Sequence, residues 1–276
     1  MLLVYGDESM DETQQRVCAV AGIIGTEEQW KALEWEWVKF TYGCPFHANE
    51  CDSDHGDYAT RAHWNNKALY RDLSILLANS GLCGVGKAID LAAKQTIFPE
   101  SEDLAYYTAF QRAVADLVMF ARLWGDIAEF TFDMRMQSDH NAGFLYGSLR
   151  ENNPEGASYL AKKISFEFAK DNPRIQIADL LAREAMKALD NKIGPVKRKT
   201  RKSWLALAET GRFKIDAFSV DWFESLKRQM PEAEKRLNMN RDDYMEWLRI
   251  RRRQHSVSAM LQYSDWTATR DKGQGA

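Results

Sequence analysis

The chain is poor in cysteine: Cys18, Cys44, Cys51 and Cys83 are the four it has, and no two stand at CxxC spacing. That removes the common thiol-redox motif and the paired-cysteine zinc motifs. With Cys18 in an apolar run and Cys83 in a glycine-rich strand, reduced and mostly buried thiols are expected. Long apolar runs are also missing. Val17 to Ile24 spans 8 residues, far short of the ~20 that cross a bilayer, so no membrane partner is expected. The N-terminal MLLVYGDES has no basic n-region and turns acidic within a few residues, so it does not read as a secretory signal, and a cytoplasmic location is expected. There is no internal repeat and no low-complexity tract. Gly84-Val-Gly86-Lys87 lacks the remaining glycines of a phosphate loop. Gly143 to Gly147 centres on Leu145, which is no nucleophile, so an α/β-hydrolase elbow is excluded. No Ser/His/Asp triad can be assigned from spacing.

What is present is an ordinary globular composition, 45% hydrophobic and 28% charged, with a formal net charge of -3. The small net charge hides an asymmetry. Residues 1–60 hold 12 Asp or Glu against 3 Lys or Arg, whereas residues 192–202 hold 6 Lys or Arg and no acid. An acidic region with a basic one elsewhere suits a polyanionic partner held near cations; solvated surface is the plainer reading of each run.

The hydrophobic pattern gives the organisation. Leu2–Tyr5 and Val17–Ile24 read as the strands of a hairpin. Thr26-Glu-Glu-Gln29 is a capping box that opens a helix, and Trp30, Leu33, Trp37 and Phe40 recur at helical spacing, with Trp35 on the other face. Residues 43–56 are polar and irregular. Helices are expected over 64–78, 104–123, 143–150 and 175–189, and strands over 85–91, 129–135 and 164–169. Two or three strands followed by strand–helix alternation predict an α/β fold with a mixed sheet of about five strands flanked by helices. The character changes near Asn191. Residues 1–191 read as the main domain, and 192–276 as a basic linker with a helical extension over roughly 203–209, 221–237 and 241–254.

Three carboxylates stand out by context. Asp7 closes the first apolar run in YGDES, Asp133 closes a later strand in FTFDMR, and Asp179 sits among Ile175, Ile177, Leu180 and Leu181 in IQIADLLA. A buried carboxylate is unfavourable unless paired or bound to a cation. An i,i+4 pair with Arg183 is the plain alternative for Asp179. Neighbouring strand ends can bring Asp7 and Asp133 together, and a helix packed across the sheet can bring Asp179 to the same point. Such a cluster repels itself, and Mg²⁺ or Mn²⁺, singly or as two ions, would relieve it and serve phosphodiester hydrolysis.

The segments YGDES, PFHANE, FTFDMR and IQIADLLA, in this order, resemble the bacterial domain-of-unknown-function family 3800, over roughly residues 1–190. The resemblance implies a ribonuclease H-like fold and nuclease-like chemistry, with Asp7, Asp133 and Asp179 as metal-binding acids and His47 and Glu50 as a His/acid motif. Gln-Ile-Ala-Asp at 176–179 is its most specific element; Met10, where the family often has glycine, departs from it. A ribonuclease H-like site also calls for a further carboxylate, and Glu50 is the candidate. Glu8 and Glu184 compete for that role, although strand alternation points Glu8 away from Asp7 and Glu184 lies off the helical face of Asp179. His47 could transfer a proton at the leaving group, because histidine titrates near neutrality.

The resulting expectation is metal-dependent hydrolysis of nucleic-acid phosphodiesters at Asp7, Asp133, Asp179 and Glu50, with His47 assisting. Lys197, Arg198, Lys199, Arg201 and Lys202 would bind the backbone, Trp204 would stack a base, and Arg249 with Arg251 to Arg253 forms a second basic cluster. The alternatives are a non-catalytic nucleic-acid-binding or regulatory module, a hydrolase of small phosphate esters or nucleotides, and a partner-binding subunit that uses Trp35. Cys44, His47, Cys51 and His55 could form a Cys₂His₂ zinc set, but their spacing matches no familiar finger.

Overall fold

A computed structural model describes residues 1–60, 65–99, 105–134, 139–152 and 154–237. Met1–Val220 form one compact unit and Asp221 begins a second. The expected helix over 241–254 and the cluster at Arg249 and Arg251 to Arg253 lie outside the described residues.

The sheet is mixed and six-stranded, in the order β5-β4-β1-β2-β3-β6. Its strands are β1 (Leu2–Met10), β2 (Val17–Gly25), β3 (Cys83–Asp90), β4 (Ala128–Asp133), β5 (Leu160–Glu167) and β6 (Phe213–Phe218). The first three form an antiparallel meander, β4 runs parallel to β1, β5 parallel to β4, and β6 parallel to β3. The β1–β2 turn is closed by Asp11, whose carboxylate accepts from the backbone N–H groups of Thr13, Arg16 and Val17 and from the Thr13 hydroxyl.

Helices cover both faces. On one lie α1 (Glu27–Thr41), α2 (Ala48–Ser53), α3 (Asn66–Asn79), α8 (Pro173–Ile193) and α9 (Lys202–Ala208). Trp30, Trp37, Leu73, Leu77, Ile177, Leu181 and Leu207 form their common core. On the other face α5 (Ala105–Trp124) packs on β2 and β3, and α6 (Asp139–Asn152) on β5. Two short helices, α4 (Leu91–Ile97) and α7 (Pro154–Ala157), connect elements, and α10 (Val220–Leu237) lies at the start of the second unit. Among the described residues no helix is long and apolar enough to cross a membrane.

The expected capping box is present: the Thr26 hydroxyl accepts from the Gln29 backbone and the Gln29 side chain returns to the Thr26 backbone. The buried stripe of α1 runs Trp30, Leu33, Trp37, Thr41, leaving Phe40 partly exposed. The structure corrects the sequence reading in three places. The first strand does not end at Tyr5 but runs to Met10, because β2 pairs with it through Met10↔Cys18. Residues 48–53, read as irregular, are a helix. Residues 213–218, read as part of a purely helical extension, are the sixth strand, carried by the pairing Gly84↔Phe213 to Ile89↔Phe218. Lys214 and Asp216 break the apolar pattern of that strand and hide it in the sequence. Asp216, with Asp116 of α5, forms the ion pairs of the buried Lys87.

The position of α8 depends on two glycines in β3. A Cβ added at Gly84 would meet Leu181 at 2.7 Å, and one added at Gly86 would meet the Ala185 Cβ at 2.6 Å. The Gly-Val-Gly sequence that failed as a phosphate loop is thus a seat for a helix. Gly86→Ala should force α8 away from the sheet and destabilise the protein by about 1–3 kcal/mol, read by urea denaturation; unchanged stability would show that the helix is not held by this contact.

Candidate metal centre

The β1–β4 ladder ends at Gly6↔Phe132, so Asp7 and Asp133 are the next residues on adjacent parallel strands. Alternation sends both toward the α8 face. Leu3 and Tyr5 pack against the core on that side, and Asp7 stands opposite Ala21, which belongs to it. Phe132, one residue before Asp133, faces the ring of Phe110 on α5 instead. Helix α8 then crosses this face and brings Asp179, 5% exposed, with it.

Asp7, Glu8 and Asp133 each offer a carboxylate oxygen within 4.8 Å of the others. Asp179 acts on Asp7 and feels Asp133 through charge repulsion, and α8, which carries it, packs against β1. The inclusion of Glu8 departs from the sequence reading, which turned it to the opposite face. Pairing with β4 has stopped by Glu8, which β2 still holds opposite Val20, and its carboxylate reaches within 4.8 Å of the Asp7 and Asp133 oxygens. The Glu8 N–H also donates to Asp7 Oδ1 at 2.6 Å.

The other proposed ligand goes elsewhere. Glu50 lies on α2, its carboxylate accepting from Asp57 N–H at 3.2 Å and standing 4.0 Å from His47 Nδ1. Gly56, at φ +56°, leaves the space it fills; a Cβ there would meet the carboxylate at 2.4 Å. Glu50 thus closes its own loop and is not among the three clustered acids. His47, at the N-terminus of α2, stays half exposed, and its charge acts on Asp179. Of the cysteine–histidine set, Cys51 Sγ donates to Asn66 C=O and Cys44 Sγ to Tyr42 C=O.

Gln176 explains the Gln-Ile-Ala-Asp sequence. One helical turn before Asp179, it accepts from Phe46 N–H at 2.9 Å and donates to Ala169 C=O at 2.8 Å. Ala169 N–H in turn donates to Asp133 Oδ1, and Ala48 N–H to Asp179 Oδ2, both at 2.8 Å. One amide therefore couples the loop that holds Asp133 to the segment that holds Asp179. The signal was in the sequence as a polar residue in an apolar helix, three positions from another.

Burial pushes the Asp7 carboxyl well above the usual range, and Asp179, Glu8 and Asp133 push it further; the Glu8 N–H only partly offsets this. Asp179 is also raised by burial, against the pull of His47, the Ala48 N–H and Arg183. Among the described residues, the charges that act most on Asp7 are all negative. The donors are all carboxylate oxygens, the set that hard divalent cations such as Mg²⁺ and Mn²⁺ prefer.

The basic residues divide. Lys197, Arg198, Lys199 and Lys202 are exposed. Arg201 is committed inside the protein, bound to Asp52 through both terminal nitrogens and to Glu184 at 3.1 Å, over the ring of Tyr70. Asp52 also binds the buried Arg183, and although burial raises its carboxyl, the two arginines hold it below the usual range.

No protein-family model matches the chain, and no curated protein matches it significantly.

The raised Asp7 carboxyl has a thermodynamic consequence. Below about pH 4 the group is protonated both folded and unfolded. As pH rises the unfolded chain gives up its proton first, so folding stability falls until the folded-state value is passed. In chelator, wild type should therefore lose stability relative to Asp7→Asn as pH rises from about 4, and Mn²⁺ should restore it to wild type more than to the mutant. Melting curves at several pH values test this; a difference that does not vary with pH would mean that Asp7 carries no such burden.

Proposed function

We propose that this protein is a metal-dependent phosphodiesterase acting on nucleic acid, built on a ribonuclease H-like sheet. The observation that carries the reading is the convergence of the buried Asp7 and Glu8 with the half-buried Asp133, in a mutually repelling group on which Asp179 also acts. An antiparallel three-strand meander followed by two strands that add in parallel beside β1 supports the fold assignment. The resemblance of YGDES, PFHANE, FTFDMR and IQIADLLA to family 3800 points the same way.

Asp7, Asp133 and Asp179 would hold the cation, with Glu8 in the place expected of Glu50. When bound, such an ion lowers the pKa of a water and neutralises charge on the phosphate. The residues themselves supply orientation. Ala169 N–H fixes Asp133, Ala48 N–H fixes Asp179, and Gln176 holds both loops in register. His47, half exposed at the rim, is placed to give a proton to a departing oxygen. The exposed Lys197, Arg198 and Lys199 suit binding to a phosphate backbone.

Asp133→Asn should abolish Mg²⁺- or Mn²⁺-dependent cleavage while leaving the metal-free protein equally or more stable, because it removes one charge from a repelling set. If the mutant is instead clearly destabilised in chelator and responds to metal like wild type, Asp133 is structural and the reading fails. Neutralising Lys197, Arg198 and Lys199 together should weaken nucleic-acid binding and flatten its salt dependence. The log–log slope should fall by about 0.7–0.9 for each phosphate that the variant no longer neutralises. An unchanged slope would remove this stretch from the interface.

A further inference from the structure

The helix that carries Asp179 carries a second buried carboxylate. Glu184 is fully buried, and its Oε1 receives the Tyr70 hydroxyl at 2.8 Å, the Ser203 hydroxyl at 2.9 Å and the Arg201 guanidinium at 3.1 Å. Its Oε2 is buried as well and has no hydrogen-bond partner among the described residues. Leaving a buried acceptor bare is unfavourable, so three donors crowded on one oxygen and none on the other call for a reason. Glu184 lines a small open cleft of about 80 Å³ together with Asn191, Lys192, Arg198, Thr200, Arg201 and Trp204.

The cleft is graded in chemistry. A carboxylate belongs to its lining, and Trp204, packed against the core, supplies an indole. Lys192 and Arg198 are exposed and form no ion pair among the described residues. The Arg198 N–H donates to the Asn191 C=O at 2.9 Å, which ties this segment back to the end of α8. A bare anion would meet the Glu184 carboxylate, and an amine would meet Lys192 and Arg198. A nucleotide matches both ends, with amino-bearing base toward the carboxylate, ring on the indole and phosphate on the cations.

We propose that this cleft binds one unpaired nucleobase bearing an exocyclic amino group, stacked on Trp204, with its amino group donating to Glu184 and its phosphate held by Lys192 and Arg198. The source of the base rests on the nucleic-acid reading above. At about 1.5 Å of rise per residue, Glu184 and Lys192 lie roughly 8 and 20 Å along α8 from Asp179. The substrate is then single-stranded beside the cleavage point.

The test is calorimetric titration of the full chain, in chelator, with 5′-AMP, IMP, CMP and UMP. AMP and IMP, like CMP and UMP, differ chiefly in an amino group against a carbonyl. AMP should bind about ten-fold tighter than IMP, and CMP than UMP, since IMP and UMP put a carbonyl oxygen where the amino group would donate to Glu184. Glu184→Gln keeps an acceptor for Tyr70 and Ser203 and places a donor where Oε2 was, so both preferences should invert. Trp204→Ala should weaken all four by about ten-fold. Equal binding of AMP and IMP by wild type, or a preference that survives Glu184→Gln, overturns the proposal. Because no metal is present, base discrimination by a protein that never cleaves nucleic acid would sink the nuclease reading and leave the cleft. Cleavage without discrimination would do the reverse.

Discussion

The approach of α8 to the sheet is the constraint on which the rest depends. Gly84 and Gly86 remove the side chains that would hold the helix off β3, and Ala182 and Ala185 are buried on it. A helix seated so low buries both flanks, so its polar residues cannot find water. Gln176, Asp179, Arg183 and Glu184 are each at most 5% exposed. Each takes its hydrogen bonds from within the protein, Glu184 through one of its two oxygens, and each such bond fixes a neighbouring loop. Gln176 and Asp179 fix the chain at Phe46 and Ala48; Arg183 fixes Asp52; Glu184 fixes Tyr70 and Ser203. The order of the site follows from the depth of the helix.

That depth sets the electrostatics too. Carboxylates out of water in one neighbourhood raise one another's proton affinity, and the two ends of α8 answer this differently. Around Glu184 and Asp52 the protein supplies its own cations, Arg183 and Arg201, and the result is a closed ionic network. Around Asp7 the charges that act most are those of Asp179, Glu8 and Asp133, all negative, while Asp179 itself, raised by burial, is drawn down by His47, the Ala48 N–H and Arg183. Two acid groups beside one helix thus differ in the charges that act on them, and a cation near Asp7 would lower the repulsion there.

Much of this was legible in the sequence. The capping box at Thr26, the α1 stripe through Trp37 and the fully apolar β2 followed from local pattern, and Asp179 declared itself by its apolar surroundings. The failures share a cause. Glu8 was misplaced because alternation fixes the direction of a Cβ and not the reach of a long side chain, whose carboxylate here comes within 4.8 Å of the Asp7 and Asp133 oxygens. Glu50 was overvalued because proximity in sequence to His47 says nothing about Gly56, whose missing side chain gives the carboxylate its resting place. β6 was hidden because Lys214 and Asp216 look like linker residues, while Asp216 in fact answers Lys87 on the neighbouring strand β3. The network around Glu184 joins residues 52, 70, 184, 201 and 203, a set that no local spacing connects.

The basic stretch shows how a charge run should be divided. In the sequence, Lys197, Arg198, Lys199, Arg201 and Lys202 form one block. In the fold, Arg201 turns inward and is consumed by Asp52 and Glu184, while its neighbours stay in water. The inward residue has a consequence for the outward ones. By tying the segment to α3 through Tyr70 and to α2 through Asp52, it gives a basic loop a fixed place at the end of α8. Cations on a free linker attract a polyanion without orienting it. Cations whose backbone is anchored to the helix that bears Asp179 keep a set distance from the acids, and on the nuclease reading proposed above that spacing would let them position a phosphodiester and not merely attract one.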